Sequence, residues 1–349
     1  MKQNMNSQNS HTTSSKSKMS LKAVSGFAIV VLLLGFAAHP LDSVIAQVGA
    51  NTTASGSAST NGTNTHAKTK DNHKAWEALQ QAFKLDRQTY QEAVSAAQKA
   101  YQLSIQTARL NHQQTEQSDG QTFKTARDAA LDTYRTAIKS AHGNVQAIIA
   151  AMQARDTAIT AATLARATAD MNNDVTRDKA ITSAELARAN AEIAAAVTRD
   201  TNDGAAKQTY DSAIGASSTI TARDQTIWNA HVTNDQAIGA ARVTKINADG
   251  NATVTFDQAM GAAQQTKITA VGSADQTRDG AYSTNPKIDA QNNAARATAV
   301  GNANVAFDQS AGAAAQARAT TNWSTLQARD QSYANAEASM YTTIASAYP

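Results

Sequence analysis

The chain has 349 residues, with 31 Lys+Arg against 28 Asp+Glu, 5% aromatics, three prolines and no cysteine. The lack of cysteine excludes disulfides, thiolate metal sites, a cysteine nucleophile and an acylated lipoprotein cysteine. Alanine supplies 76 residues and no proline stands between Pro40 and Pro286. That is not the composition of an ordinary α/β enzyme. It points to helix, because Ala is the best helix former and Pro the worst.

Residues 1–46 read as an export signal. Lys16, Lys18 and Lys22 precede an apolar run from Ala23 to Ala38, and Val44 and Ala46 stand at the small-residue positions of a cleavage site. The rival reading is a retained membrane anchor, although the run is shorter than the roughly 20 residues that span a bilayer. The segment carries four of the lysines and one aspartate, so the remainder has 27 basic and 27 acidic residues. A neutral chain with interspersed charge gains little from counterion release, so no nucleic-acid partner is expected. A membrane is expected only through a retained N-terminal segment.

Residues 47–73 are rich in Ser, Thr, Asn and Gly and read as a disordered linker. Residues 74–199 read as a regular helical region. Leu79, Tyr90, Tyr101, His112, Phe123, Tyr134 and Val145 stand 11 residues apart. Ala82, Ala93, Ser104, Thr115, Ala126, Ala137, Ile148 and Ile159 follow the same interval. Eleven residues make three helical turns, so each series keeps to one face. Residues 155–176 and 177–198 match at 13 of 22 positions, two undecads at once. The repeated Arg166–Asp170 and Arg188–Glu192 pairs read as a solvated helix face.

Residues 200–349 carry the repeat in degenerate form, with Gly215, Gly239, Gly261 and Gly312 at one place in the motif. A fixed glycine marks a close backbone approach or a recurrent bend. Breaks are predicted at 113–121, 201–204, 247–251 and 282–287, where Asn, Asp and Gly cluster. The fold class expected is all-α, with long Ala-rich helices joined in a coiled coil or elongated helical bundle. The alternative is a β-solenoid-like C-terminal half, suggested by "NADGNATVTF" and "AVGNANVAF".

The chemistry of catalysis is not legible. No His pair lies at i,i+4, and no G-x-S-x-G, phosphate-binding or dinucleotide-binding glycine motif occurs. His112 reads as a seam residue, and Trp76, Trp228 and Trp323 as seam anchors or end contacts. No catalytic, cofactor-binding or metal site is assigned, and no cofactor is expected. An Ala-rich stripe buries little per residue, so self-association through an Ala-rich helical face is expected. The functional expectation is a non-enzymatic, exported structural or interaction protein of the cell envelope or exterior, in the form of a spacer, stalk or fibre subunit. The alternative is a lipid-surface binder, since the chain resembles apolipoprotein-like repeats in period. Its alanine-rich coil resembles envelope alanine-zipper proteins in composition, without the acylated cysteine they carry. A further minor reading is surface or ice binding by Thr rows.

Overall fold

In a computed structural model, residues 64–348 are described except 284, with side chains from 70 onward. The proposed signal, 1–46, and most of the linker lie outside the described residues. Four helices follow one another: α1 (Asn64–Ala141), α2 (Val145–Ile214), α3 (Ser218–Gly280) and α4 (Pro286–Ser346). At about 1.5 Å per residue the 78 residues of α1 run about 115 Å and the 61 of α4 about 90 Å. The all-α expectation holds. No strand occurs among the described residues, and both segments proposed as β lie inside α3 and α4.

Each helix packs on its neighbour in the chain: α1 on α2, α2 on α3, α3 on α4. Among the described residues no other pair brings its backbones into contact. The unit is thus an open serpentine of antiparallel rods. The middle helices α2 and α3 have two covered sides and hold most of the buried residues, while α4 buries only Ala303, Ala314 and Ala336.

The chain turns at 142–144, 215–217 and 281–285. His142 and Gly143 have positive φ, and Asn144 then caps α2 by accepting the Ala147 N–H at 3.1 Å. Gly215 ends α2 in the left-handed region at φ 69°, and Ser217 caps α3. Asn285 and Pro286 start α4. Of the four predicted breaks only 282–287 is a turn. The other three run through as helix, because their polar and small residues are used between helices. Asn173 Nδ2 donates to Asp119 at 2.7 Å, Asn202 donates to Asp86 at 3.1 Å, and Gly250 sits against Thr182. The linker also ends earlier than expected. Residues 64–73 belong to α1, since extending a helix already fixed by packing needs no new nucleus.

Ser and Thr are numerous, yet most do not oppose the helices. Thr107, Thr136, Thr176, Thr201 and Thr244 each donate to the carbonyl four residues back. This satisfies the hydroxyl locally.

Candidate functional site

The polar and aromatic side chains are gathered along the seams between helices. The first seam, α1 on α2, explains the 11-residue aromatic series. Arg155 lies over Tyr134 at 4.7 Å from the ring centroid, Arg166 over Phe123 at 5.4 Å, Arg188 over Tyr101 at 4.5 Å and Arg199 over Tyr90 at 4.9 Å. At the middle step His112 replaces the ring, with Nε2 3.3 Å from Arg177 and 2.9 Å from Asp174 Oδ1. Every step up α1 is matched by an equal step down α2, so one register holds along the whole hairpin. Such cation–π contacts contribute about 0.5–2 kcal/mol each, more when desolvated. Leu79 belongs to the same series and is 4% exposed. Val145 does not, because the chain has turned and it opens α2.

The matching arginine series, Arg155, Arg166, Arg177, Arg188 and Arg199, is also spaced by eleven in the sequence. This arginine interval, and not the aromatic series alone, is the signal in the sequence that pairs the two helices. The structure corrects the reading of Arg188 and Glu192 as a solvated face. Arg188 donates to Gln98 of α1, and Glu192 receives Arg242 of α3 at 2.5 Å. A helix packed on both sides has little face left for solvent. The Arg166–Asp170 pair does remain half exposed.

The second seam, α2 on α3, is a glycine column. A Cβ on Gly239, Gly250, Gly261 or Gly272 would come closer than 3.0 Å to Ile193, Thr182, Met171 or Thr160 respectively. These glycines, again eleven apart, let α3 press onto side chains of α2. At the end of the column the roles invert: Trp228 of α3 sits on Gly204 of α2, reaching past it to Phe83 of α1 with centroids 6.0 Å apart. The repeated glycines read from the sequence therefore separate. Gly239 and Gly261 are close approaches, Gly215 is a helix terminus, and Gly312 has nothing within 4 Å of a Cβ.

Carboxyl groups face one another across this seam. Asp156 meets Asp279, Asp178 meets Asp257, and Asp200 meets Asp235. Three Arg-Asp dipeptides of α2 link both seams. Arg155 covers Tyr134 on one side while its Nε donates to Asp156 at 2.6 Å, and its far nitrogen reaches buried Asp279 at 3.3 Å. Arg177 and Arg199 repeat the arrangement with Asp178 and Asp200. One oxygen each of Asp156 and Asp257 is buried without a partner. Burial, then the facing Asp178, pushes Asp257 up to about 6. Burial and Asp86 likewise push Asp203 up to about 6. Asp279 and Asp235 are raised by burial and the carboxyl opposite. Burial opposes ionisation of Asp156, but Arg155, the facing Asp279 and Arg278 together hold it low. Near the end of the seam Lys207 bridges Asp211 and Asp224.

The third seam joins α3 and α4. Arg318 lies over Phe256 at 4.5 Å and Lys267 over Phe307 at 5.0 Å, and Thr325 donates to Asp249 at 2.7 Å. A shallow groove of about 230 Å³ runs along this seam, lined by Ala230, Asn234, Ala336 and Met340. Among the tryptophans, Trp76 packs edge-on against Tyr210 with centroids 5.9 Å apart, Trp228 anchors a seam, and Trp323 is 63% exposed.

Chemically these groups hold helices: arginines cap rings and pair with acids, and the acids that face one another are harder to ionise. Among the described residues no three His, Asp or Glu are placed to hold a metal ion, and no helix is long and apolar enough to cross a membrane. Comparison with protein-family models, with curated proteins and with solved structures finds no match.

Proposed function

We propose that the protein is a non-enzymatic structural spacer of the cell envelope or exterior, exported through its N-terminal segment and assembled through a helical face. The observation that carries this reading is the use of its side chains. Rings, guanidinium groups and carboxyls are spent at regular 11-residue steps along seams about 90–115 Å long, where they fix length and register. An enzyme would be expected to concentrate perturbed titratable groups around one concave pocket; here they are spread along rods.

Small-angle X-ray scattering on residues 47–349 tests the reading, with the mass taken from the same data. A maximum dimension above 100 Å with a rod-like profile is the expected result. A compact particle near the ~20 Å radius of gyration of an ordinary domain of this size would overturn it. The lipid-surface reading predicts flotation with vesicles, whereas a spacer stays in the aqueous fractions.

A further inference from the structure

The outer face of α4 repeats a pattern that is occupied elsewhere in the molecule. In α3, each glycine of the column stands two residues before a small residue: Gly239 before Ala241, Gly250 before Ala252, Gly261 before Ala263 and Gly272 before Ala274. Two residues turn the helix by about 200°, so the two columns lie on opposite sides. The alanine side meets α4: Ala230 lines the groove with Ala336 and Met340, and Ala263 is one turn before Lys267, which covers Phe307. The glycine side meets α2. Trp228 occupies that glycine column and is seated on Gly204 of the neighbouring helix.

α4 is built the same way. Gly301 precedes Ala303 by two, Gly312 precedes Ala314, and Trp323 precedes Thr325. Ala303 and Ala314 are buried, one turn before Phe307 and Arg318, which pair with α3. Gly301, Gly312 and Trp323 therefore point away from α3, to a side where no other helix lies among the described residues. A Cβ on either glycine meets nothing within 4 Å, Trp323 is 63% exposed and Val305 beside them is 55% exposed. The tryptophan that α3 buries on a glycine is, in α4, left in solvent.

The three positions are evenly spaced, so they complement themselves. We infer that a second copy of this chain docks on the outer face of α4, antiparallel and two-fold symmetric about Gly312, with Trp323 of each copy seated on Gly301 of the other. In that register Gly312 faces Gly312, with no side chain between the two backbones, whereas the glycines of α3 press onto side chains of α2. Trp323 lies eleven residues on one side of the axis and Gly301 eleven on the other, so both tryptophans find a glycine. This repeats across copies the Trp228–Gly204 contact within the chain, and continues the antiparallel layer past its free edge. Asp308 falls opposite Gln316 in this register, so no like charges oppose there. The isologous contact closes on itself and yields a dimer through this face, not a fibre.

The inference names the face for the assembly part of the proposed function and rests on that part alone. Its failure is separable: the pairing can fail while the scattering profile of a single elongated unit is unchanged. The absence of native cysteine gives a direct test on the full chain. Gly312→Cys places one thiol on the axis, in open space, so the substitution does not threaten the fold. Mild oxidation should give a disulfide-linked dimer at least tenfold faster than Ser95→Cys, an exposed control on α1. Adding Trp323→Ala to Gly312→Cys should bring the rate down to that of the control. The unsubstituted chain gives the second readout, since a Cys at 312 adds a Cβ to the contact: equal rates for Gly312→Cys and Ser95→Cys together with a monomer mass for the unsubstituted chain by sedimentation equilibrium would overturn the pairing. So would cross-linking at residue 312 that is indifferent to Trp323→Ala, since the seated tryptophan would then play no part.

Discussion

Glycine inside a helix ordinarily costs about 1 kcal/mol relative to alanine, so Gly→Ala in an exposed helix should stabilise. The packing of α3 reverses that sign at one set of positions. At Gly250 a Cβ would lie closer than 3.0 Å to the Oγ1, Cγ2 and Cβ of Thr182. Rotation about χ1 exchanges the Oγ1 and Cγ2 of Thr182 without moving its Cβ, and its hydroxyl is held by the Asp178 carbonyl. Relief requires the two helices to separate locally. Overpacking of this kind costs about 1–3 kcal/mol. Against a propensity gain of up to about 1 kcal/mol, Gly250→Ala should destabilise by about 1–2 kcal/mol. At Gly120, within α1, nothing lies within 4 Å of a Cβ, so Gly120→Ala should stabilise by about 0.5–1 kcal/mol. Urea unfolding followed by circular dichroism on the two variants measures both signs. Stabilisation by Gly250→Ala equal to that by Gly120→Ala would refute the argument that α2 and α3 meet through the glycine column.

Removing the ring of Tyr101 and the guanidinium of Arg188, singly and together, should give a coupling energy of about 0.5–1.5 kcal/mol in a double-mutant cycle; additive losses would mean the ladder contributes nothing beyond packing. Asp257 and Asp203, whose carboxyls are raised to about 6 in the folded chain, favour folding fully below about pH 4, where the unfolded carboxyl also binds its proton. That stability is lost as pH rises through about 6, so melting temperature should fall between pH 5 and pH 7. Asp257→Asn keeps the neutral form, and should raise stability at pH 7 by about 1 kcal/mol after allowance for solvent screening, with no gain at pH 4; an unchanged pH slope would refute the raised carboxyl at Asp257. Gly143 has φ of 82°, so Gly143→Ala should destabilise by about 1 kcal/mol, measured by the same unfolding assay.

The amino-acid sequence by itself determined the helices and their period. Alanine content and the near absence of proline decide helix over strand through backbone preference. The spacing of Tyr90, Tyr101, Phe123 and Tyr134 decides that one face repeats every three turns. Both are local properties of the chain, legible without knowing what lies opposite. Where the helices end was only partly legible. "TNDG" and "NADGN" have turn composition, yet Asn202, Gly204, Asp249 and Gly250 are all taken up by partners on other helices. "HGN" at 142–144 and "GAS" at 215–217 also carry turn-favouring Gly, Asn or Ser, and there the chain does turn, with positive φ at Gly143 and Gly215. Only the tertiary structure separates the two cases, because the intrinsic penalty of Asn, Asp or Gly in a helix is about 1 kcal/mol or less and one interhelical contact can outweigh it. The pairing of arginines with rings, of carboxyls with carboxyls and of glycines with side chains was equally undecided, since periodicity gives a residue its face but not the face it meets. The register of two antiparallel rods is set by the sum of many such contacts, and exists only once both are in place.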